Sequence, residues 1–304
     1  MMDQLYITDV ALRDGLQNQQ IMVATSVKLE LIKLLAASGV QSLEATSFVS
    51  PKHVPQMADA SALISQVHID LPKLRASVLV PNMKGLERAR AAGAKEIAVV
   101  LAATEIMNQK NINMNLETAT NISEQTLRAA KSAGLRTRAY IAVAFDCPFE
   151  GPTSPATVLR LSEKMHTAGA DEIVIADTIG SASPCQVKKL LSAVVQTVPI
   201  TKTSVHFHDT RGMGLANAWA ALEVGIRRFD ASVGGIGGCP FAPGAAGNLA
   251  TEDLVLLAKQ CGFHTNINLL GLLAAIDYAE KHLQRALGGR SIKWLRQQQE
   301  RGLI

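Results

Sequence analysis

Aromatic side chains are scarce in this chain: Trp, Tyr and Phe together make up 4% of its 304 residues. A buried core must therefore be built from Ala, Val, Ile and Leu. Cysteine is as sparse. The four present, Cys147, Cys185, Cys239 and Cys261, lie far apart with no CxxC pair. That excludes a disulfide framework and a thiolate zinc site, and it fits a reducing compartment. No apolar stretch approaches the ~18 charge-free residues of a membrane span. The N-terminus opens on a polar, strand-like segment rather than an apolar leader, so a cytoplasmic protein with no membrane partner is expected. Lys and Arg are scattered and never form a run, and the net charge is +4. Nucleic acid is therefore not an expected partner. A mildly basic surface suits a polyanionic small substrate.

What is abundant is apolar residue: 48% hydrophobic against 18% charged, enough for a large core. Short β-rich runs alternate with longer amphipathic ones. Strands are expected over 6–11, 42–46, 76–80, 96–102, 137–144, 172–176, 204–208 and 228–232. Helices are expected over 26–38, 59–66, 83–92, 116–133, 154–168, 184–197, 214–224 and 251–261. Several strands, such as Ile97-Ala-Val-Val-Leu101, are apolar throughout, as strands covered on both faces should be. Gly39, Gly93, Gly134, Gly169 and Gly225 each close a helical run just before a strand, the position of a C′ glycine. Strict alternation implies a parallel sheet with right-handed crossovers. Eight units in this length favour an α/β fold of the (β/α)8 TIM-barrel class as one domain over 1–304. The barrel spans about 5–265, with additional C-terminal helices over about 266–304. An open doubly wound sheet ranks second, because no GxGxxG opens the first helix.

In such a barrel, chemistry belongs at the C-terminal ends of the strands, and the polar residues of interest fall there. His206 and His208 share one strand face, since alternate residues point the same way. A hydrogen-bonded pair of core histidines is the plain reading of them; beside Asp209 at a barrel mouth, two metal ligands is the favoured one. Asp14 would add a carboxylate oxygen, unless it only caps the turn after the first strand. Asn248 would add an amide oxygen, unless it only caps the last barrel helix. Two nitrogens with carboxylate and amide oxygens suit Mg²⁺ or Mn²⁺ in octahedral geometry, ahead of zinc. Arg13 is either the salt-bridge partner of Asp14 or Glu44 or a cation aimed at a developing enolate. Glu44, a carboxylate inside a barrel, needs a partner. Asp177 is divided between a turn leading into the next helix and a proton acceptor or metal-supporting group. Cys239 sits in a glycine-rich run over 234–244 that permits close backbone approach to a ligand.

Taken together, these phrases resemble the 3-hydroxy-3-methylglutaryl-CoA lyase family, a branch of the metal-dependent pyruvate-carboxyltransferase-like barrels. The resemblance rests on Leu12-Arg-Asp-Gly-Leu-Gln-Asn18, Glu44-Ala-Thr-Ser-Phe-Val-Ser-Pro-Lys52, Cys147-Pro-Phe-Glu-Gly151, Asp177-Thr-Ile-Gly180, His206-Phe-His-Asp-Thr210, Gly237-Gly-Cys-Pro240 and Gly247-Asn-Leu-Ala-Thr-Glu-Asp253. It implies Asp14, His206, His208 and Asn248 as ligands of a divalent metal cation. It also implies Arg13, Cys239, Asp177 and Glu44 as catalytic groups, and Arg13 and Tyr140 as substrate-binding residues. The implied reaction is cleavage of an acyl-CoA, 3-hydroxy-3-methylglutaryl-CoA, to acetyl-CoA and acetoacetate by a homodimer. Arg211 and Asp146 depart from the family pattern. They leave open a related substrate such as citramalyl-CoA. A condensing synthase of the isopropylmalate type ranks below that.

Overall fold

A computed structural model describes residues 3–238 and 247–304. All eight expected strands are present: β1 (Tyr6–Asp9), β2 (Ser42–Ser47), β3 (Arg75–Leu79), β4 (Glu96–Ala102), β5 (Arg136–Ala142), β6 (Glu172–Asp177), β7 (Thr203–Phe207) and β8 (Arg228–Ala231). Every neighbouring pair is parallel, and β1 pairs with both β2 and β8, closing the barrel. The chain is a TIM barrel. β1 is shorter than its apolar run because residues Ala11–Gly15 leave the sheet as a single π-helical turn, a form of helix that recurs at functional sites.

The helices are α1 (Thr25–Ala37), α2 (Ala60–Asp70), α3 (Met83–Ala91), α4 (Glu105–Ile112), α5 (Leu116–Ser132), α6 (Pro155–Thr167), α7 (Pro184–Val194), α8 (Gly214–Val224), α9 (Thr251–Gln260), α10 (Leu269–Leu283) and α11 (Ile292–Glu300). Their starts follow local chemistry. Ser183 and Gln186 form a reciprocal capping box on α7, with Pro184 at its first position, which satisfies amides that would otherwise lack partners. Asn115 accepts from the Thr118 amide to open α5. α4 was not foreseen: Glu105-Ile-Met-Asn-Gln-Lys-Asn-Ile112 carries almost no apolar stripe.

The main apolar core lies between strands and helices and includes Ile97, Val99, Leu101, Ile141, Ile173 and Ile175. The alternate residues point into the barrel. There Ala98, Tyr140 and Val174 form only a small apolar cluster. Glu44, Arg138, Glu172, His206 and Asp230 are buried beside it. α10 packs on α1, and the Asn268 amide donates to the Ser38 carbonyl.

All five glycines expected to end helices have positive φ. Gly39 is the most constrained of them. Its φ is +102°, and a Cβ there would lie 2.1 Å from the Asn266 carbonyl oxygen. Gly93, with φ +82°, has nothing within 4 Å of such a Cβ. Gly93→Ala should therefore cost only the left-handed penalty of ~1–2 kcal/mol. Gly39→Ala should cost clearly more, by urea unfolding, because the α1–α10 contact must also give. Equal costs for the two would remove the steric argument.

Candidate active site

The π-helical turn after β1 carries Arg13 and Asp14 to the open end of the barrel, where β7 delivers His206 and, just beyond it, His208. The Nε2 atoms of the two imidazoles are 3.1 Å apart. Asp14 Oδ2 lies 3.9 Å from His206 Nε2 and 3.8 Å from His208 Nε2. Asn248 reaches the same place because its segment runs back along the strand ends. It forms an antiparallel bridge with His208, and the Leu249 amide donates to the Phe207 carbonyl. The Asn248 Nδ2 donates to Asp14 Oδ2 at 2.9 Å and to the Ile236 carbonyl at 3.1 Å. Residues from β1, β7 and the end of β8 thus meet at one point, as the sequence pattern required.

The alternative roles of two of these residues are not taken up. Ala250, not Asn248, is the N-cap of α9. The carboxylate that ties the turn after β1 is Asp9, which accepts from the Ala11 and Val233 amides and from the Thr251 hydroxyl. Among the described residues the Asp14 carboxylate accepts from two side chains, Arg13 and Asn248.

The donor set fits a hard divalent cation. Asp14, His206 and His208 place one ligand atom each within 4.8 Å of one another. Two donors about 2.1 Å from an ion at right angles lie about 3.0 Å apart, close to the spacing of the two imidazole nitrogens. Asn248 Oδ1 is buried with no hydrogen-bond partner among the described residues, an unusual expense for an amide oxygen and one that service as a fourth ligand would remove. Burial works against the charge on Asp14, but Arg13 and the two histidines hold its pKa down to about 2. Burial and the neighbouring His206 lower His208 to about 4, leaving it neutral with a lone pair to offer. For His206, burial pulls down, while the hydrogen bond to Asp230 and the charge of Asp14 pull up and prevail.

Arg13 donates through Nε to Glu44 Oε2 at 2.5 Å and through Nη1 to Asp14 Oδ1 at 2.7 Å. Its guanidinium carbon sits 5.7 Å from the centre of the Tyr140 ring. Burial disfavours the cation, but Glu44 and Asp14 more than offset that, so it stays charged. Glu44 is fully buried and shifted up, burial outweighing Arg13. Arg13 is thus ion-paired, as one of its two readings had it, and it also lines the cavity.

That cavity, about 430 Å³, is lined by Arg13, Asp14, Tyr140, His206 and His208 on one side. Leu79, Val100, Met107, Ile112 and Met114 form an apolar wall. Its size is that of a small-molecule site. The α4 helix, missed in the sequence, supplies Met107, Asn111 and Ile112 to it.

Two other expected residues are placed differently. Asp177 sits on the outer side of β6, one residue past Ala176, which lines the cavity. Its two oxygens accept from the Ser181 and Ala182 amides. It takes the turn role, and burial raises it to about 6. Tyr140 contributes its ring to the cavity, but its hydroxyl points inward to Asp230 Oδ2 at 2.7 Å. Burial raises its pKa far above the usual value, so it remains a donor. Arg211 and Asp146 meet at Ser181, through its carbonyl at 3.5 Å and its hydroxyl at 2.9 Å respectively. Neither lines the cavity. Cys239 lies outside the described residues, as does most of the glycine-rich run.

The sequence of the HMGL-like family matches residues 4–278. The chain belongs to that family. It is 47% identical over 282 residues to the mitochondrial hydroxymethylglutaryl-CoA lyase of Bos taurus, covering 93% of this chain and 86% of that one. The crystal structure of hydroxymethylglutaryl-CoA lyase from Pseudomonas aeruginosa superposes with a TM-score of 0.93 at 36% identity, covering 98% and 99% of the two chains. An HMG-CoA lyase from Acenitobacter baumannii, in complex with coenzyme A and 3-methylmalate, gives a TM-score of 0.91 at 37% identity over 96% and 95%.

Proposed function

We propose that this protein cleaves 3-hydroxy-3-methylglutaryl-CoA to acetyl-CoA and acetoacetate as a divalent-metal-dependent carbon–carbon lyase. The observation that carries this is the meeting of Asp14, His206, His208 and the unpartnered Asn248 oxygen beside a caged arginine, in a chain so similar to named lyases. Asp14, the two histidines and Asn248 would hold Mg²⁺ or Mn²⁺. Such an ion lowers the pKa of an alcohol that binds it and polarises a neighbouring carbonyl.

The residues of the chain do the rest. The apolar wall around Val100 and Met107 receives the methyl-bearing carbon and excludes water. The hydroxyl proton passes to the carboxylate or an imidazole of the set Asp14, His206 and His208 that lines the cavity. The hydroxyl carbon becomes the ketone of acetoacetate, the C2–C3 bond breaks, and its electron pair moves into the thioester as an enolate. Arg13, held charged and fixed in direction by Glu44 and Asp14, stabilises that enolate oxygen; a preorganised donor of this kind needs no reorganisation as charge develops. Asp177 does not open on the cavity, so it is not placed to take the hydroxyl proton directly. Cys239, on the glycine-rich segment, is the group we assign to return a proton to carbon. The sparse, widely spaced cysteines support a cytoplasmic location, and the family resemblance supports a homodimer, for which light scattering should give twice the chain mass.

Turnover should vanish after dialysis against EDTA and return with Mg²⁺ or Mn²⁺; full activity in EDTA would remove the metal role. Across a substrate panel, 3-hydroxy-3-methylglutaryl-CoA should exceed citramalyl-CoA in kcat/KM by tenfold or more. Arg211 lies outside the cavity, and among the described residues Arg13 is the only Arg or Lys that lines it, which leaves no second such cation for a different acyl carboxylate. A preference for citramalyl-CoA, or condensation of acetyl-CoA with a 2-oxoacid, would overturn the substrate assignment.

A further inference from the structure

Beneath His206 the barrel holds a chain of buried charges that the proposed reaction does not use. Asp230, on β8, is 2% exposed. Its Oδ2 lies 3.2 Å from His206 Nδ1 and also accepts from the Tyr140 hydroxyl. Its Oδ1 accepts from Arg138 Nη2 at 2.7 Å. Arg138, on β5 and equally buried, donates through Nε and Nη2 to Glu172 Oε1 at 3.0 and 2.7 Å, and through Nη1 to the Tyr140 hydroxyl at 3.0 Å. Four adjacent strands, β5 to β8, supply this chain. It runs from Glu172 to the imidazole at the cavity.

We propose that Asp230 and Arg138 are positioning residues for the cation site: Asp230 fixes the proton of His206 on Nδ1, and Arg138 fixes Asp230. This rests on the reading of Asp14, His206, His208 and Asn248 as ligands. An ionised carboxylate only accepts hydrogen bonds. The neutral imidazole facing it must therefore carry its proton on Nδ1, which leaves the Nε2 lone pair directed at Asp14 and His208. The opposite tautomer would aim an N–H at the cation. A carboxylate partner of this kind sets both ring orientation and ligand basicity. The two imidazoles are not equivalent in this respect, since His208 Nδ1 is buried with no partner among the described residues. His206 is thus the anchored ligand, and its anchor is Asp230. Arg138 keeps that anchor from rotating by holding the other carboxylate oxygen in a fork shared with Glu172.

The test uses the full-length protein and Mn²⁺ alone, with the free ion counted by electron paramagnetic resonance. Asp230→Asn keeps the shape of the side chain and removes its charge. It should raise the Mn²⁺ Kd about ten- to a hundredfold at a temperature where circular dichroism matches wild type. Arg138→Gln should give a smaller shift in the same direction; an unchanged Kd strikes Arg138 from the proposal. His206→Ala should abolish tight binding. If His206→Ala binds as wild type, the ligand reading itself falls. If it loses Mn²⁺ while Asp230→Asn keeps the wild-type Kd, this proposal alone is overturned. Should Asp230→Asn not fold, ¹⁵N-edited NMR of the Mg²⁺-loaded wild type at alkaline pH decides: His206 protonated on Nδ1 is expected, and on Nε2 overturns it.

Discussion

Arg13→Met should lower kcat about a thousandfold while leaving Mn²⁺ binding within a few-fold of wild type. Removing one preorganised donor from a developing oxyanion costs about 10²–10³ in rate, and Arg13 supplies both the donor and a full charge in a water-poor cavity. A thousandfold is about 4 kcal/mol of transition-state stabilisation. The four proposed ligand atoms remain in place, so affinity for the ion should not follow the rate down. The substitution has a structural cost as well, because Glu44 is fully buried and its other oxygen already lacks a partner. Breaking a buried pair from one side is strongly destabilising. The double variant Arg13→Met with Glu44→Gln removes that uncompensated charge. It should recover much of the lost unfolding midpoint and none of the lost kcat. If turnover returned with stability, Arg13 would be a packing residue and its assignment to the enolate would fail.

The barrel was legible because its grammar is local. Apolar strands repeat eight times and C′ glycines five times, and each unit can be read within about thirty residues. The candidate ligand cluster was legible because two imidazoles spaced by two on a strand, and polar residues just after strands, have few structural uses. Asp230 and Arg138 escaped for a different reason. Each looks like one more charge near the start of its strand, Arg138 after Arg136 and Asp230 after Arg228. The two are 92 residues apart, and only closure of the barrel puts them 2.7 Å apart. The available signal was the cost of burying a charge, which demands a partner somewhere without saying where. Helix α4 escaped because Glu105, Asn108, Gln109, Lys110 and Asn111 blur its periodicity. It is kept helical by packing on β4 and by Asn108, which bonds the Ala102 amide and carbonyl. Asp177 shows the converse limit. Its place after a strand suggested chemistry, but the pleat turned it outward, and a one-residue offset is enough to reverse a side chain's face.

Gly247→Ala should lower kcat about a hundredfold and weaken Mn²⁺ binding together with it, although no ligand atom is removed. A Cβ at position 247 would lie 1.9 Å from the Gly235 carbonyl oxygen and 2.9 Å from the Gly237 nitrogen. Real contacts of this kind stay near 3 Å or beyond, so the backbone must move by about 1 Å. The next residue is Asn248, whose side-chain amide is held against Asp14 and Ile236, and the carbonyl of Gly247 itself accepts from the Asp209 amide. The shift therefore travels directly into two sides of the proposed cation site. A displacement of about 1 Å in a catalytic constellation costs on the order of 10² in rate. The control is Gly93, well away from the site: a Cβ there meets nothing within 4 Å among the described residues, so Gly93→Ala should bind Mn²⁺ as wild type does. If Gly247→Ala also bound Mn²⁺ normally and turned over at the wild-type rate, Asn248 would not be a ligand, and the site would reduce to Asp14 and the paired histidines.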